Sequence, residues 1–438
     1  MEKVLKREIT LWGLTANLVN TIIGAGIFAL PALVAEGLGP ASITAYLFCG
    51  FLVLLVMLCF AEVGSKITSS GGVYAFIEAS FGPYFGFLTI IIFLLGCISA
   101  DAAVANAVYN IAASIFPVLQ NEVVRILFLL VIFFGLASIN VMGPRKGIGL
   151  VKLITLAKVL PLFILILIGF KEVTIDNLIF EHAPSISALG KTSLVLFFAF
   201  QGVEAAISIN GEVKDPQKNI PKAVLISVAL VLVFYILIQT ISQGILGDEL
   251  PLYKDNTLGE VANRIIGPLG LTLLSIGAAV SMFGNLSSEI LSIPRSLYSA
   301  SRDGIIPIKY LSKIHPKFAT PYTAIISYAS LGFIFAIGSH FEQLAIISVS
   351  GTLIIYLGVS LAVIKLRSNG IQYKNSFKIP GGLIVPILSS ITIIWFLSNL
   401  KRTELLIICI FIVALTFIYL LLVQLKKKWS MIDQQDKS

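Results

Sequence analysis

The chain has 438 residues, 57% of them hydrophobic and only 12% charged, with a mean hydropathy of +0.97. Apolar sequence spread from end to end excludes a soluble enzyme carrying one anchor and points to a single polytopic helical bundle. The formal net charge of +8 would suit nucleic acid if it formed a patch, but the basic residues sit in short segments between apolar runs, where charge sets membrane orientation.

Apolar runs of membrane length fall near 11–35, 41–65, 84–115, 122–140, 148–170, 187–213, 220–246, 266–292, 321–338, 342–366, 381–399 and 403–425, twelve expected spans. The first is followed at once by a second, so it is expected to stay as an uncleaved helix. In its middle lies Asn20-Thr21-Ile22-Ile23-Gly24-Ala25-Gly26-Ile27-Phe28. Two glycines here cost about 1 kcal/mol each against alanine in a helix. Unwound backbone at membrane depth is tolerated only against protein or a water-filled cavity. The sixth run carries a second interruption, Phe198-Ala199-Phe200-Gln201-Gly202-Val203-Glu204. Paired breaks in corresponding halves are the sequence mark of an inverted-repeat secondary transporter's binding site.

With the N-terminus cytoplasmic, 23 of the 31 Lys and Arg residues fall on the inner side, seven on the outer side, and Lys158 inside a span. That bias predicts both termini in the cytoplasm. Lys426-Lys427-Lys428 reads as the stop signal after the last span, with some attraction for anionic lipid. The four cysteines (Cys49, Cys59, Cys97, Cys409) all lie in apolar runs and read as packing residues. The three histidines lack metal-site spacing. No GxxxxGK[ST] loop for an ATP-driven pump appears, nor any nucleophile–base–orienter set for a membrane enzyme. The expectation is no enzyme and no cofactor.

Motifs along most of the chain resemble the amino acid–polyamine–organocation superfamily, and within it the bacterial amino acid permeases and exchangers. They are Gly24-Ala25-Gly26-Ile27-Phe28 with Pro31, Ala61-Glu62-Val63-Gly64, Gly71-Gly72-Val73-Tyr74, and Phe200-Gln201-Gly202-Val203-Glu204. They continue with Glu212-Val213-Lys214-Asp215-Pro216 and Asn219-Ile220-Pro221, then Ser301-Arg302-Asp303-Gly304-Ile305-Ile306-Pro307 and Phe377-Lys378-Ile379-Pro380-Gly381-Gly382. The resemblance implies an all-α membrane fold of twelve transmembrane helices. Residues 1–170 would form a first five-helix repeat and 187–367 a second, inverted one. Residues 381–425 would add two extra helices and 426–438 a cytoplasmic tail. It further implies a plasma-membrane, multi-pass carrier working by alternating access, with the substrate near the midplane between the broken helices and spans 3, 8 and 10.

On that resemblance, Ile23, Gly24, Ala25, Gly26 and Ile27 would offer amide groups and a positive half-helix end to an amino acid carboxylate. Ala199, Phe200 and Gln201 would turn carbonyls to its ammonium, and Phe198 would be the aromatic gate. Lys158 is placed against the first break as a proton-coupling site or fixed charge, and Glu204 as a packing or pH-sensing residue. Asp101, with Cys97 one turn before it, and Glu289 align with substrate-contacting positions. Two carboxylates near a small pocket repel unless a proton or cation lies between them. The economical reading is therefore a substrate with a cationic side chain: arginine, lysine, ornithine or a polyamine. With Lys158 as the coupling site, the expectation is proton-coupled uptake of a cationic amino acid. Internal pairing of Asp101 with Lys158, or with the hydroxyls of Ser348 and Ser350, stays open beside it. Also open are amino acid or polyamine exchange, a neutral substrate and a non-transporting nutrient sensor. The expected partners are the amino acid, protons and the lipid bilayer, with a homodimer through the last two helices not decided by sequence.

Overall fold

A computed structural model of the chain describes residues 9–67, 72–142, 160–180, 182–202, 213–368 and 377–435. Among them the only pairing of strand type is an isolated parallel bridge between Ile9 and Val213. Everything else that is regular is helical. Among the described residues seven helical stretches, one of them running through Gly26–Lys66, are long and apolar enough to cross a membrane, and three apolar helices are shorter. Lys158 and Glu204, the two expected coupling positions, lie outside the described residues.

The first apolar run is two helices, α1 (Leu11–Ile22) and α2 (Gly26–Leu38). Thr10 starts α1 by accepting the Gly13 N–H on its hydroxyl at 3.2 Å. After Ile23 the regular ladder fails, and the Gly24 N–H turns back to the Ile22 carbonyl at 2.8 Å. Gly26 opens α2 where a side chain has no room: a Cβ there would lie 2.6 Å from the Ala199 Cα. The second break approaches the first at this point. Helix α7 (Ile186–Leu196) tightens into a 3-10 turn over Phe197–Phe200 and then runs out at Gln201 and Gly202, whose φ is +100°. The two breaks therefore cross with backbone against backbone.

Around them stand α3 (Ser42–Lys66), α5 (Pro83–Ile115), α8 (Pro216–Leu246), α10 (Pro268–Arg302) and α12 (Phe341–Ser368). Helices α6 (Glu122–Val141) and α11 (Tyr322–Gly338) flank α5 and α10. The closest packing of α5 on α12 passes through Gly96 and Gly351, where an added Cβ would touch the Ser348 carbonyl and Ile92 at 3.6 and 3.4 Å. Small residues let membrane helices approach this way.

A local pattern occurs twice. The ten-residue helix α4 (Gly72–Phe81) leads through Gly82 (φ +95°) and Pro83 into α5, 33 residues long. The ten-residue α9 (Thr257–Ile266) leads through Gly267 (φ +73°) and Pro268 into α10, 35 residues long. A left-handed glycine ends each short helix and a proline at the first position starts the long one.

Helices α13 (Ile384–Ser398) and α14 (Arg402–Gln435) close the chain at the periphery. Almost none of the apolar window of α14 is buried, and Ile407, Ile410, Val413 and Phe417 are more than 60% exposed. An exposed apolar face of that extent marks a contact with a membrane or with another protein. Three acids before and within α9, Glu249, Asp255 and Glu260, are engaged by neighbouring side chains. Arg264 bonds Glu249 at 2.7 Å and Glu260 at 3.1 Å, which also hold its guanidinium above its usual range, and Asp255 accepts from Asn110 at 3.0 Å.

Candidate substrate cavity between the helix breaks

A cavity of about 100 Å³ lies between the two breaks and the middles of α5, α10 and α12. Of the residues singled out by sequence, Gly24, Ala25, Gly26, Cys97, Asp101, Phe198, Gln201 and Glu289 line it. Ile23, Ile27, Ala199 and Phe200 do not: their side chains are buried in the packing behind it. The cavity is also lined by Thr21, Asn285, Ser348, Thr352 and Tyr356. Asn285 stands one turn before Glu289 on α10, and Thr352 one turn after Ser348 on α12. Helical spacing from the residues already chosen would have found both.

On one wall, α2 begins at Gly26, so its first amides at Gly26 and Ile27 have no carbonyl a turn earlier within the helix. They carry the positive end of its dipole. A Cβ on Gly24 would come within 3.5 Å of the Asn285 amide, so this backbone faces α10 across the cavity. The opposite wall is a polar relay. The Gln201 amide donates to the Thr352 hydroxyl at 2.7 Å, and the Ser348 hydroxyl donates to the Gln201 Oε1 at 3.2 Å. The side chain at the second break is thereby fixed to α12.

Tyr235 of α8 holds the breaks together from behind. Its hydroxyl lies 3.0 Å from the Ile22 carbonyl and 2.8 Å from the Ala199 carbonyl, able to donate to either. Its ring packs edge-on against Phe200 at 5.3 Å. The Ala199 carbonyl, expected to face a substrate ammonium, is thus already engaged by the protein. Phe198 covers the cavity from the side where α12 begins and meets Phe341 edge-on at 5.4 Å.

Asp101 is 2% exposed, and its Oδ2 accepts the Tyr328 hydroxyl of α11 at 2.8 Å. Ser348 is committed to Gln201, and Ser350 bonds the Ile346 carbonyl of its own helix. A tyrosine in an apolar run gives no sign of such a role, so this partner was invisible in the sequence. Asp101 and Glu289 are the acidic residues on the cavity, and no Lys, Arg or His is among its described lining. Ser288 bonds the Gly284 carbonyl of its own helix at 3.1 Å, as a paired serine in a membrane helix commonly does. Among the described residues no group of three His, Cys, Asp or Glu has metal-site geometry.

A helical bundle around a small, mostly apolar cavity with a few convergent polar groups between two helix breaks is the architecture of a membrane transporter. The chain belongs to the amino acid permease family, whose model matches residues 9–432. Its motifs and its relatives place it in the amino acid–polyamine–organocation superfamily. The serine/threonine exchanger SteT of Bacillus subtilis (strain 168) is 30% identical over 396 residues, covering 88% of this chain and 89% of that protein. The methylthioribose transporter of the same strain is 28% identical over 442 residues, covering 96% and 94%. The human cystine/glutamate transporter is 29% identical over 412 residues, covering 91% and 81%. The family and these relatives are transporters, not enzymes, and amino acid transport across a membrane is the activity they support for this chain.

Proposed function

We propose that the chain is a secondary active transporter that carries cationic amino acids through the plasma membrane by alternating access. The observation that carries this reading is the charge of the cavity: two carboxylates, Asp101 and Glu289, and no basic side chain among its described lining. A substrate presenting a carboxylate to the start of α2 and a positive side chain to Asp101 and Glu289 neutralises both sites. The backbone ammonium would then lie near the Gln201 side of the cavity. Lys158 and Glu204 are the coupling and pH-response positions of this proposal, with proton symport driving uptake.

In the same proposal, residues 1–170 and 187–367 are two inverted five-helix repeats and 381–425 the two extra helices, giving twelve spans with both termini cytoplasmic. The doubled pattern of short helix, Gly-Pro and long helix at α4–α5 and α9–α10 supports the repeat. The one-sided distribution of Lys and Arg supports the orientation.

A second reading, exchange of small neutral amino acids, draws on a relative named as a serine/threonine exchanger. It also draws on the Tyr328 hydroxyl, which already supplies Asp101 with a partner.

Uptake of labelled arginine into proteoliposomes separates the two. The cationic reading expects competition by lysine and ornithine but not by serine or leucine, and faster uptake with the lumen alkaline. Competition by serine, with uptake requiring internal amino acid and ignoring the pH gradient, would overturn it in favour of exchange.

A further inference from the structure

A second and larger cavity, about 700 Å³, lies between α14 and the faces of α5, α11 and α12. Helix α14 is seated on the bundle around Leu415, which is buried, and Tyr419. There Tyr84 and Thr416 share a hydrogen bond of 2.6 Å, and the Tyr84 and Phe87 rings pack on Tyr419 at 5.2 and 5.4 Å. Nearer its N-terminus Leu405, Ile408 and Phe411 also pack on the core, and Ile407, Ile408, Phe411 and Ile412 line the cavity left between.

The lining of the gap is segregated. The deep walls are apolar apart from Ser350, whose hydroxyl is bonded to the Ile346 carbonyl, whereas Glu342, Gln343, Lys401, Thr403 and Glu404 gather where α12 and α14 begin. From Glu342 to Ile354 the axis of α12 rises about 18 Å, close to the hydrocarbon depth of one leaflet, about 15 Å. An apolar void this large forfeits dispersion contacts on its walls if empty, and water away from the mouth finds few polar partners. At that depth the available filler is an acyl chain. The mouth is preset by its own hydrogen bonds: Glu404 accepts the Lys401 N–H at 2.8 Å, and the Ser339 hydroxyl donates to Gln343 at 2.6 Å. Two carboxylates against one ammonium at the mouth favour a headgroup that carries its own cation.

We propose that this cavity is a binding site for one phospholipid with a primary ammonium headgroup, phosphatidylethanolamine. One acyl chain fills the gap beneath α14, the ammonium lies between Glu342 and Glu404, and the phosphate turns to Lys401. The site also borders the substrate cavity, because Ile92 and Gly96 line both. A bound chain therefore braces the α5–α12 wall that carries Ser348 and, through it, Gln201.

Native mass spectrometry of the full chain, delipidated in detergent and titrated with dioleoyl phosphatidylethanolamine or dioleoyl phosphatidylcholine, tests the proposal. The expected result is one ethanolamine lipid retained per chain, preferred over choline about five-fold, the worth of one hydrogen bond. The variant Ile347→Trp/Ile408→Trp, which fills the gap, should lose that lipid while eluting and melting like the parent. Glu342→Gln/Glu404→Gln should keep one lipid and lose the preference. Equal retention by the filled variant overturns the site, and so does a lipid-free dimer in which a second copy covers α14. Should the filled variant not fold, an unchanged lipid preference in the Glu342→Gln/Glu404→Gln variant overturns it alone.

Discussion

Gly26 has the tightest surroundings of the cavity glycines, and the atom it would strike on gaining a Cβ is backbone and cannot rotate away. Gly26→Ala should cost about 1–3 kcal/mol of strain and largely abolish uptake in proteoliposomes, whereas Gly135→Ala, where a Cβ meets open space, should leave it unchanged. Tyr235→Phe removes the one hydroxyl that can donate to either of two carbonyls at the breaks, so uptake should fall about ten-fold, matching a lost buried hydrogen bond of about 1–3 kcal/mol. Asp101→Asn keeps the shape and the Tyr328 contact but removes charge. Competition assays should show it weakening arginine about ten-fold or more while altering serine little, and equal loss for both would remove Asp101 from side-chain recognition. The glycines, Asp101 and Glu289 were legible because breaks and charges are conspicuous in an apolar run. Tyr235 and Tyr328 were not, since their partners lie 213, 36 and 227 positions away in the chain and a tyrosine in a span has many ordinary uses.

The elements are locked together at the end of the bundle where α3 and α12 finish. Glu62, fully buried, takes two bonds from the Arg367 guanidinium, one from Lys66 at 2.7 Å and one from the Ile379 N–H at 2.8 Å. Ser65 adds a hydrogen bond from the Phe377 N–H at 3.0 Å. Two cations and an orphaned amide around one carboxylate make it the support of the segment entering α13. Glu62→Gln leaves Lys66 and Arg367 facing each other without their counter-charge. It should cost about 3 kcal/mol, read as a lower melting temperature of the purified protein, while Lys254→Ala at its exposed pair with Glu36 should shift it little. Most helix bounds were legible to within a few residues from apolar run length, as for α5 and α6. The cavity beside α14 was not, because the sequence of that helix is apolar all round and apolar side chains suit lipid as well as protein.

At the scale of the whole molecule, the breaks, the doubled Gly-Pro pattern and the basic side describe one carrier with two ends. If both termini lie on one face, a reporter fused after Ser438 and one placed before Met1 should be accessible from the cytoplasmic side of inverted vesicles, and opposite accessibility would break the proposed count of spans.

The central claim is that substrate binds in the cavity between the breaks, and the cysteines offer a direct probe of it. Cys97 is half-buried on the cavity wall, Cys49 and Cys59 are buried in packing, and Cys409 is exposed on α14. In a Cys409→Ser chain reconstituted in liposomes, the rate of Cys97 alkylation by a small maleimide reports occupancy of the cavity. The account predicts that arginine slows this reaction several-fold, in proportion to its saturation of uptake, and that a non-transported amino acid has no effect. A transported substrate that leaves the Cys97 rate unchanged at saturating concentration would contradict it.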